Sequence, residues 1–239
     1  MTPKRAFDLV VALTGLCVLA PLMLIFAVVA ASDGHWPLYR GIRVGRGNST
    51  FGMLKLRTMT LGAEQAGGTS TARSDRRVTK VGRFMRRWKL DELPQLVNVV
   101  VGDMSLVGPR PNTRRGGVDR YTREEMGLLA VRPGITDLSS VVFSDEGDIL
   151  DGTADPDAAY DYLIRPWKSR LGLLYVERHS FADDLKIIAL TLVAIVAKPL
   201  ALRGVDSILA AWEADHDLRL ACRRETNLDA ICAPGVAAE

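Results

Sequence analysis

The 239-residue sequence is poor in cysteine, in aromatic residues and in net charge. Its three cysteines, Cys17, Cys222 and Cys232, share no CxxC spacing, which excludes a disulfide framework and a four-thiolate zinc site and favours a reducing compartment. His35, His179 and His216 have no metal-ligand spacing and read as structural. Aromatic residues make up only 6%, so the 48% hydrophobic content is largely aliphatic and supports a sizeable core. The 31 basic and 28 acidic side chains leave +3, too little to argue for a nucleic-acid partner from net charge. A charged fraction of 25% excludes a channel with little outside the bilayer, and the hydrophobic content excludes a wholly disordered chain. No internal repeat is present. The length suits one generous domain or two small ones.

The strongest compositional signal is an uncharged run at residues 9–31, LVVALTGLCVLAPLMLIFAVVAA, 23 residues long and sufficient to cross a hydrocarbon layer. It is long for a signal-peptide core, and the SDGHWPLYR that follows is a poor cleavage context. Pro21 near its middle favours a kink. Basic residues flank both ends, Lys4 and Arg5 before it and Arg40, Arg43 and Arg46 after it. A spanning helix should carry that excess on one side only, so a Pro-kinked spanning helix and a re-entrant hairpin both remain open.

Beyond the run, residues 35–59 alternate apolar and polar positions between glycines and predict a small β-hairpin. Residues 60–76, rich in Gly, Ser, Thr and Ala, read as a mobile loop. Residues 73–89 hold eight basic side chains and one acidic one, with Val81, Phe84 and Met85 at helical spacing, and predict a basic amphipathic helix. Residues 137–161 carry eight acidic side chains and no basic one and read as a solvated loop region. Residues 185–200 are apolar, but their uncharged core is too short to span a bilayer. Val205, Ile208, Leu209 and Trp212 then mark an amphipathic helix that could lie on the membrane, and residues 231–239 read as a frayed tail.

Chemistry concentrates in the middle of the chain. Asp91 and Glu92 stand just before Pro94, which is best tolerated in the first turn of a helix. An isolated Asp-Glu pair ordinarily caps a helix. Downstream of eight cations, the pair could instead hold a phosphoryl group through a divalent metal. Arg110 sits between two prolines and Arg132 precedes Pro133-Gly134, two rigid arginine turns suited to phosphate. Lys55 and Arg57 at i, i+2 add two cations on one strand face.

The series KRAFD at 4–8, KLRTM at 55–59, LDELPQL at 90–96, GDMSLVGPRP at 102–111 and RPGIT at 132–136 resembles the bacterial sugar transferase family, over roughly residues 4–200. These are monotopic polyprenyl-phosphate phosphoglycosyl transferases. The resemblance implies transfer of a sugar-1-phosphate from a nucleotide diphosphate-sugar, of the UDP-sugar kind, to polyprenyl (undecaprenyl) phosphate. The reaction would use Mg²⁺ and a covalent phospho-sugar intermediate on Asp91, and start a lipopolysaccharide, capsule, exopolysaccharide or glycoprotein glycan. Glu92 would help bind the metal with Asp91. Lys55, Arg57, Arg86 and Arg110 would clamp phosphates, and Arg132 would touch the nucleotide. The Ala20-Pro21 step would turn the membrane helix back on itself, placing the enzyme on the cytoplasmic face of the bacterial inner membrane, as a monomer or homodimer, with no nucleic-acid partner. Asp137-Leu138-Ser139-Ser140 and Gly172 depart from the family pattern, and Asp157 or Asp161 could supply a further acidic ligand.

The expected fold is mixed α/β, mostly helical. A re-entrant hairpin would occupy residues 1–35, a catalytic domain 36–200, and an amphipathic helix with a tail 201–239. The competing reading is a non-catalytic membrane adaptor that binds anionic lipid or nucleic acid through residues 73–89.

Overall fold

A computed structural model of the chain describes residues 2–63, 68, 70–226, 228 and 231. The described residues are mostly helical, with two small two-stranded sheets. They form two compact units, one from residues 1–61 and 76–135, the other from 62–75 and 136–239.

The first unit opens with α1 (Pro3–Ala30), whose start is set by the Thr2 hydroxyl accepting from the Arg5 N–H and by proline in the first turn. Its 28 residues reach about 42 Å at 1.5 Å per residue. Only 6% of its most apolar window is buried, so α1 is not the core helix of a globular unit and is long and apolar enough to cross a membrane. The sequence suggested a break at Pro21, but the helix runs unbroken from Pro3 to Ala30. Pro21 removes one backbone donor without ending the helix.

Both ends of α1 are bound to its own unit. Near the start, Lys4 donates to the Val107 carbonyl, Arg5 to the Val99 and Val100 carbonyls at 2.6 and 3.1 Å, and buried Asp8 accepts from the Ser105 hydroxyl at 2.7 Å. At the far end, Arg57 donates to the Ala30 carbonyl at 2.5 Å, and the Phe26 and Phe84 rings stack 5.9 Å apart.

The expected hairpin is present as β1 (Leu38–Val44) and β2 (Thr50–Leu56), antiparallel from Leu38↔Leu56 to Val44↔Thr50. Gly47 and Asn48, at φ +65° and +64°, make the tip, a left-handed conformation these two residue types accept readily. Helix α2 (Lys80–Arg87) is shorter than the basic helix expected over 73–89. Val78 pairs with Met59, and the Arg77 carbonyl accepts from the Thr60 N–H, so these backbone groups extend the strand pairing instead of a helix. Thr79 then caps α2 by accepting from the Gly82 N–H at 2.9 Å. Helix α3 (Gln95–Val101) begins directly after Pro94, as that proline predicted, and β3 (Ser105–Val107) pairs with β4 (Gly134–Thr136).

In the second unit, residues 137–161 are not the solvated loop expected from their charge. They form α4 (Leu138–Val142), α5 (Glu146–Ile149) and α6 (Pro156–Leu163), and bury Leu138, Val141, Val142, Phe143 and Leu150. Several of their acids are structural: Asp137 accepts from Ser140 N–H at 2.7 Å and Asp155 from the Asp157 and Ala158 N–H groups. Helices α7 (Arg165–Arg178), α8 (Phe181–Val196), α9 (Lys198–Ala211) and α10 (His216–Arg223) complete the unit. The apolar face expected to rest on a membrane, Val205, Ile208, Leu209 and Trp212, is buried, with α9 packed on α4, α8 and α10. His179 stacks on Tyr175 and bonds its carbonyl, a structural role. The loop reading of 60–76 falls partly on residues 64–67 and 69, and the tail reading almost wholly on 232–239; these, with Cys232, lie outside the described residues.

Candidate functional site

Lys89, at φ +56°, turns the chain from α2 into a short 3₁₀ turn over Leu90–Glu92, and Pro94 starts α3. This carries Asp91 and Glu92 inward to 5% and 8% exposure. Asn98, one turn further along α3, fastens that helix to the middle of β2: its Oδ1 accepts from the Leu54 N–H at 3.0 Å and its Nδ2 donates to the Gly52 carbonyl at 2.8 Å. The bridge fixes Lys55 opposite the dyad. An Asn98→Ala protein leaves two strand groups unpaired and is expected to lose about 2 kcal/mol. Urea unfolding measures that loss, which a value near zero would contradict.

The two carboxylates have opposite surroundings. Glu92 accepts from Lys55 Nζ at 2.8 Å and, through both oxygens, from the Arg110 guanidinium. Burial alone would raise its pKa, but Arg110 and Lys55 hold it well below the usual carboxylate range. Burial pushes Lys55 down against the pull of Glu92. Asp91 makes no hydrogen bond or ion pair among the described residues. Its burial raises its pKa, with Lys55, Arg86 and Lys89 opposing and Glu92 adding to the rise. A pair driven apart in this way separates a permanent anion that organises cations from an oxygen free to react.

Of the residues singled out in the sequence, Asp91, Glu92, Lys55, Arg110 and Arg86 come together. Arg86 donates to the Thr58 hydroxyl at 2.9 Å and acts on Asp91 through its charge. Arg57 is turned elsewhere, with Asp33, the Ala30 carbonyl and the Trp36 carbonyl taking its donors, and it holds Asp33 at a pKa of about 2. Arg132 stands at the C-terminal end of α3, where its Nε donates to the Gly102 carbonyl at 2.8 Å. Asp157 and Asp161 lie on α6 in the other unit, where Asp157 accepts from the Ser70 N–H. Sequence reasoning missed Lys89, Asn98 and Gln95. The Gln95 side-chain amide is buried one turn past Asp91 with no protein partner among the described residues. Its position inside LDELPQL was the available signal.

The Arg110 turn is fixed by its neighbour. A Cβ on Gly108 would lie 2.4 Å from the Arg132 carbonyl, and Gly134 N–H donates to the Pro109 carbonyl, so the two arginine-bearing turns are locked together at their backbones.

No three His, Cys, Asp or Glu side chains gather as a metal cage among the described residues. One carboxylate without a protein partner among them is nonetheless a donor of the kind magnesium takes, since that ion binds through one or two carboxylates, waters and substrate phosphates. Asp91 is that carboxylate, since the Glu92 oxygens face Lys55 and Arg110.

The chain is similar in sequence to several known proteins. A chain from Aeromonas hydrophila described as a UDP-N-acetylgalactosamine-undecaprenyl-phosphate N-acetylgalactosaminephosphotransferase is 40% identical over 152 residues, covering 62% of this chain and 36% of that protein. An undecaprenyl-phosphate glucose phosphotransferase from Komagataeibacter xylinus is 38% identical over 199 residues, 80% of this chain and 35% of its own. An exopolysaccharide production protein from Rhizobium leguminosarum is 35% identical over 202 residues, 80% of this chain and 94% of its own. The chain thus spans about a third of the first two relatives. The profile of the bacterial sugar transferases matches residues 1–198, and the chain belongs to that family.

Proposed function

We propose that this protein transfers a sugar-1-phosphate from a nucleotide diphosphate-sugar to polyprenyl phosphate through a phospho-sugar ester on Asp91. The carrying observation is the buried, unpartnered Asp91 carboxylate beside the Lys55, Glu92 and Arg110 cluster. In the first half-reaction an Asp91 oxygen attacks the sugar-bearing phosphorus. The bond from that phosphorus to the bridging oxygen breaks, and the nucleoside monophosphate leaves with the electron pair. In the second, a phosphate oxygen of the lipid carrier attacks the same phosphorus and the Asp91 carboxylate departs, restoring the enzyme. Lys55, Arg86 and Arg110 supply positive charge where phosphate oxygens gather, and Glu92 keeps two of those cations in place. Magnesium held by Asp91 and substrate phosphates would neutralise phosphoryl charge.

The lipid acceptor requires a membrane. Support comes from α1, whose two ends bind one unit while Val10, Val18, Leu24 and Val28 stay exposed, and from exposed Trp36, Phe84 and Trp88 beside its far end. We read α1 as entering the bilayer from one face, the cytoplasmic face of the inner membrane, with the site at the headgroup level.

The test is incubation of the membrane-extracted full chain with a panel of UDP-sugars and undecaprenyl phosphate, reading uridine monophosphate. One donor is expected to give about one equivalent without acceptor and turnover with it; silence across the whole panel would refute the reading. The same assay carries a pH prediction. Asp91 must be anionic to attack, and burial raises its pKa, so kcat/KM falls as acidity increases through a value above the ordinary 3.8. An acid limb at or below 3.8 would contradict it.

A further inference from the structure

The end of α3 away from the dyad carries a second group of cations that the reaction above does not use. The hairpin tip, the C-terminus of α3 and the Arg132 turn surround a cavity of about 150 Å³ lined by Arg46, Ser49, Thr50, Asp103 and Arg132 among others. A single water needs only about 10–15 Å³. Arg46 is exposed and its guanidinium makes no hydrogen bond or ion pair among the described residues. Arg132 uses its Nε on the Gly102 carbonyl, which leaves its two terminal nitrogens without a protein partner among them. Arg5 stands behind this wall, with a terminal nitrogen 3.3 Å from where a Cβ on Gly102 would lie. Burial, then the nearby Arg46 and Arg5 charges, weaken the hold of Arg132 on its proton. Asp103 is the one carboxylate in the lining, and it accepts from Asn98 Nδ2 at 3.4 Å.

We propose that Arg46 and Arg132, backed by Arg5, form a phosphate-binding site separate from the dyad. Two guanidinium groups line a cavity with a single acid while a third, Arg5, lies behind its wall on the Val99 and Val100 carbonyls, and the planar guanidinium fork matches phosphate oxygens. From Thr50 in the cavity to Lys55 at the dyad is five strand steps, about 17 Å, so a phosphate held here is not the one Asp91 attacks. Two sources share this chemistry: a phospholipid headgroup, at hand because Arg5 lies in the first turn of α1, and a soluble phosphate ester or ion. The proposal does not depend on the role of Asp91.

The test is thermal unfolding of the full chain in non-ionic detergent, titrated with inorganic phosphate or with dihexanoyl phosphatidylglycerol, each against chloride at equal ionic strength. At least one probe is expected to raise the midpoint, and the Arg46→Gln protein to need about tenfold more of it, as for one lost charge-assisted contact. Arg132→Gln should respond in the same direction. Asp91→Asn should keep the Arg46-dependent response, which separates this site from the chemistry. A rise with the lipid alone assigns a headgroup, and a rise with inorganic phosphate assigns a soluble anion. No rise with either probe, or equal responses in wild type and Arg46→Gln, would overturn the proposal.

Discussion

The Asp91→Asn protein releases no uridine monophosphate, with or without acceptor, and takes up no label from a sugar-labelled donor; the expected loss is about 10⁴-fold or more, the scale seen when a nucleophile is removed. It should also be more resistant to unfolding at neutral pH than the wild type. Burial raises the Asp91 pKa with no direct partner to offset it. Stability from its protonated form is therefore complete below the unfolded value of 3.8 and is lost as pH rises through the folded one. Asparagine stays neutral throughout, so its advantage grows over that window. A carboxylate that merely caps a helix gives the opposite result, because removing it lowers stability. Melting curves between pH 4 and 8, read beside the activity, separate the two roles, and a less stable but active Asp91→Asn protein would end the covalent mechanism.

Glu92→Gln is expected to fail differently. Glu92 is the anion between Lys55 and Arg110, and the amide leaves two cations facing each other without a counter-charge. Breaking a buried pair by removing one member costs about 3–5 kcal/mol. Here the sign is the reverse of that at Asp91. The Glu92 pKa is depressed, so its contribution is present above the ordinary 4.5 and lost as pH falls through the folded value. Activity should fall about 10²–10³-fold as the two cations lose their positions. Adding Lys55→Met removes one of the stranded charges and should restore part of the stability but none of the activity. Urea unfolding of both single mutants and the double mutant measures the coupling. A Glu92→Gln protein as stable as the wild type at pH 7 would show that the cluster does not organise the site.

The dyad was legible because its two acids are adjacent in sequence and Pro94 announces the helix behind them. The hairpin was legible from glycine spacing and alternation. The division of labour between the acids was not. Lys55 and Arg110 reach Glu92 from 37 and 18 residues away, and only the fold shows that both choose it and leave Asp91 bare. Arg57 shares a motif with Lys55 but lies past the end of β2, where the Ala30 and Trp36 carbonyls and the Asp33 carboxylate capture it. The acidic stretch 137–161 was misread because a capping aspartate and a solvated one look alike in sequence, whereas Asp137 and Asp155 each start a helix. Asn98 carried no signal, since a buried amide bridge between a helix and a strand has no spacing of its own.

The attachments at both ends of α1 bear on how a water-soluble fragment could be prepared. Cutting away the first thirty-odd residues as if they were a detachable tether would strip one wall from the first unit. Ser105 and the Leu106 amide would lose Asp8, Arg57 would lose Asp33, and Leu96 would lose its seat against Gly15. Such a fragment should aggregate or melt early, and detergent rather than truncation is the route to a well-behaved sample.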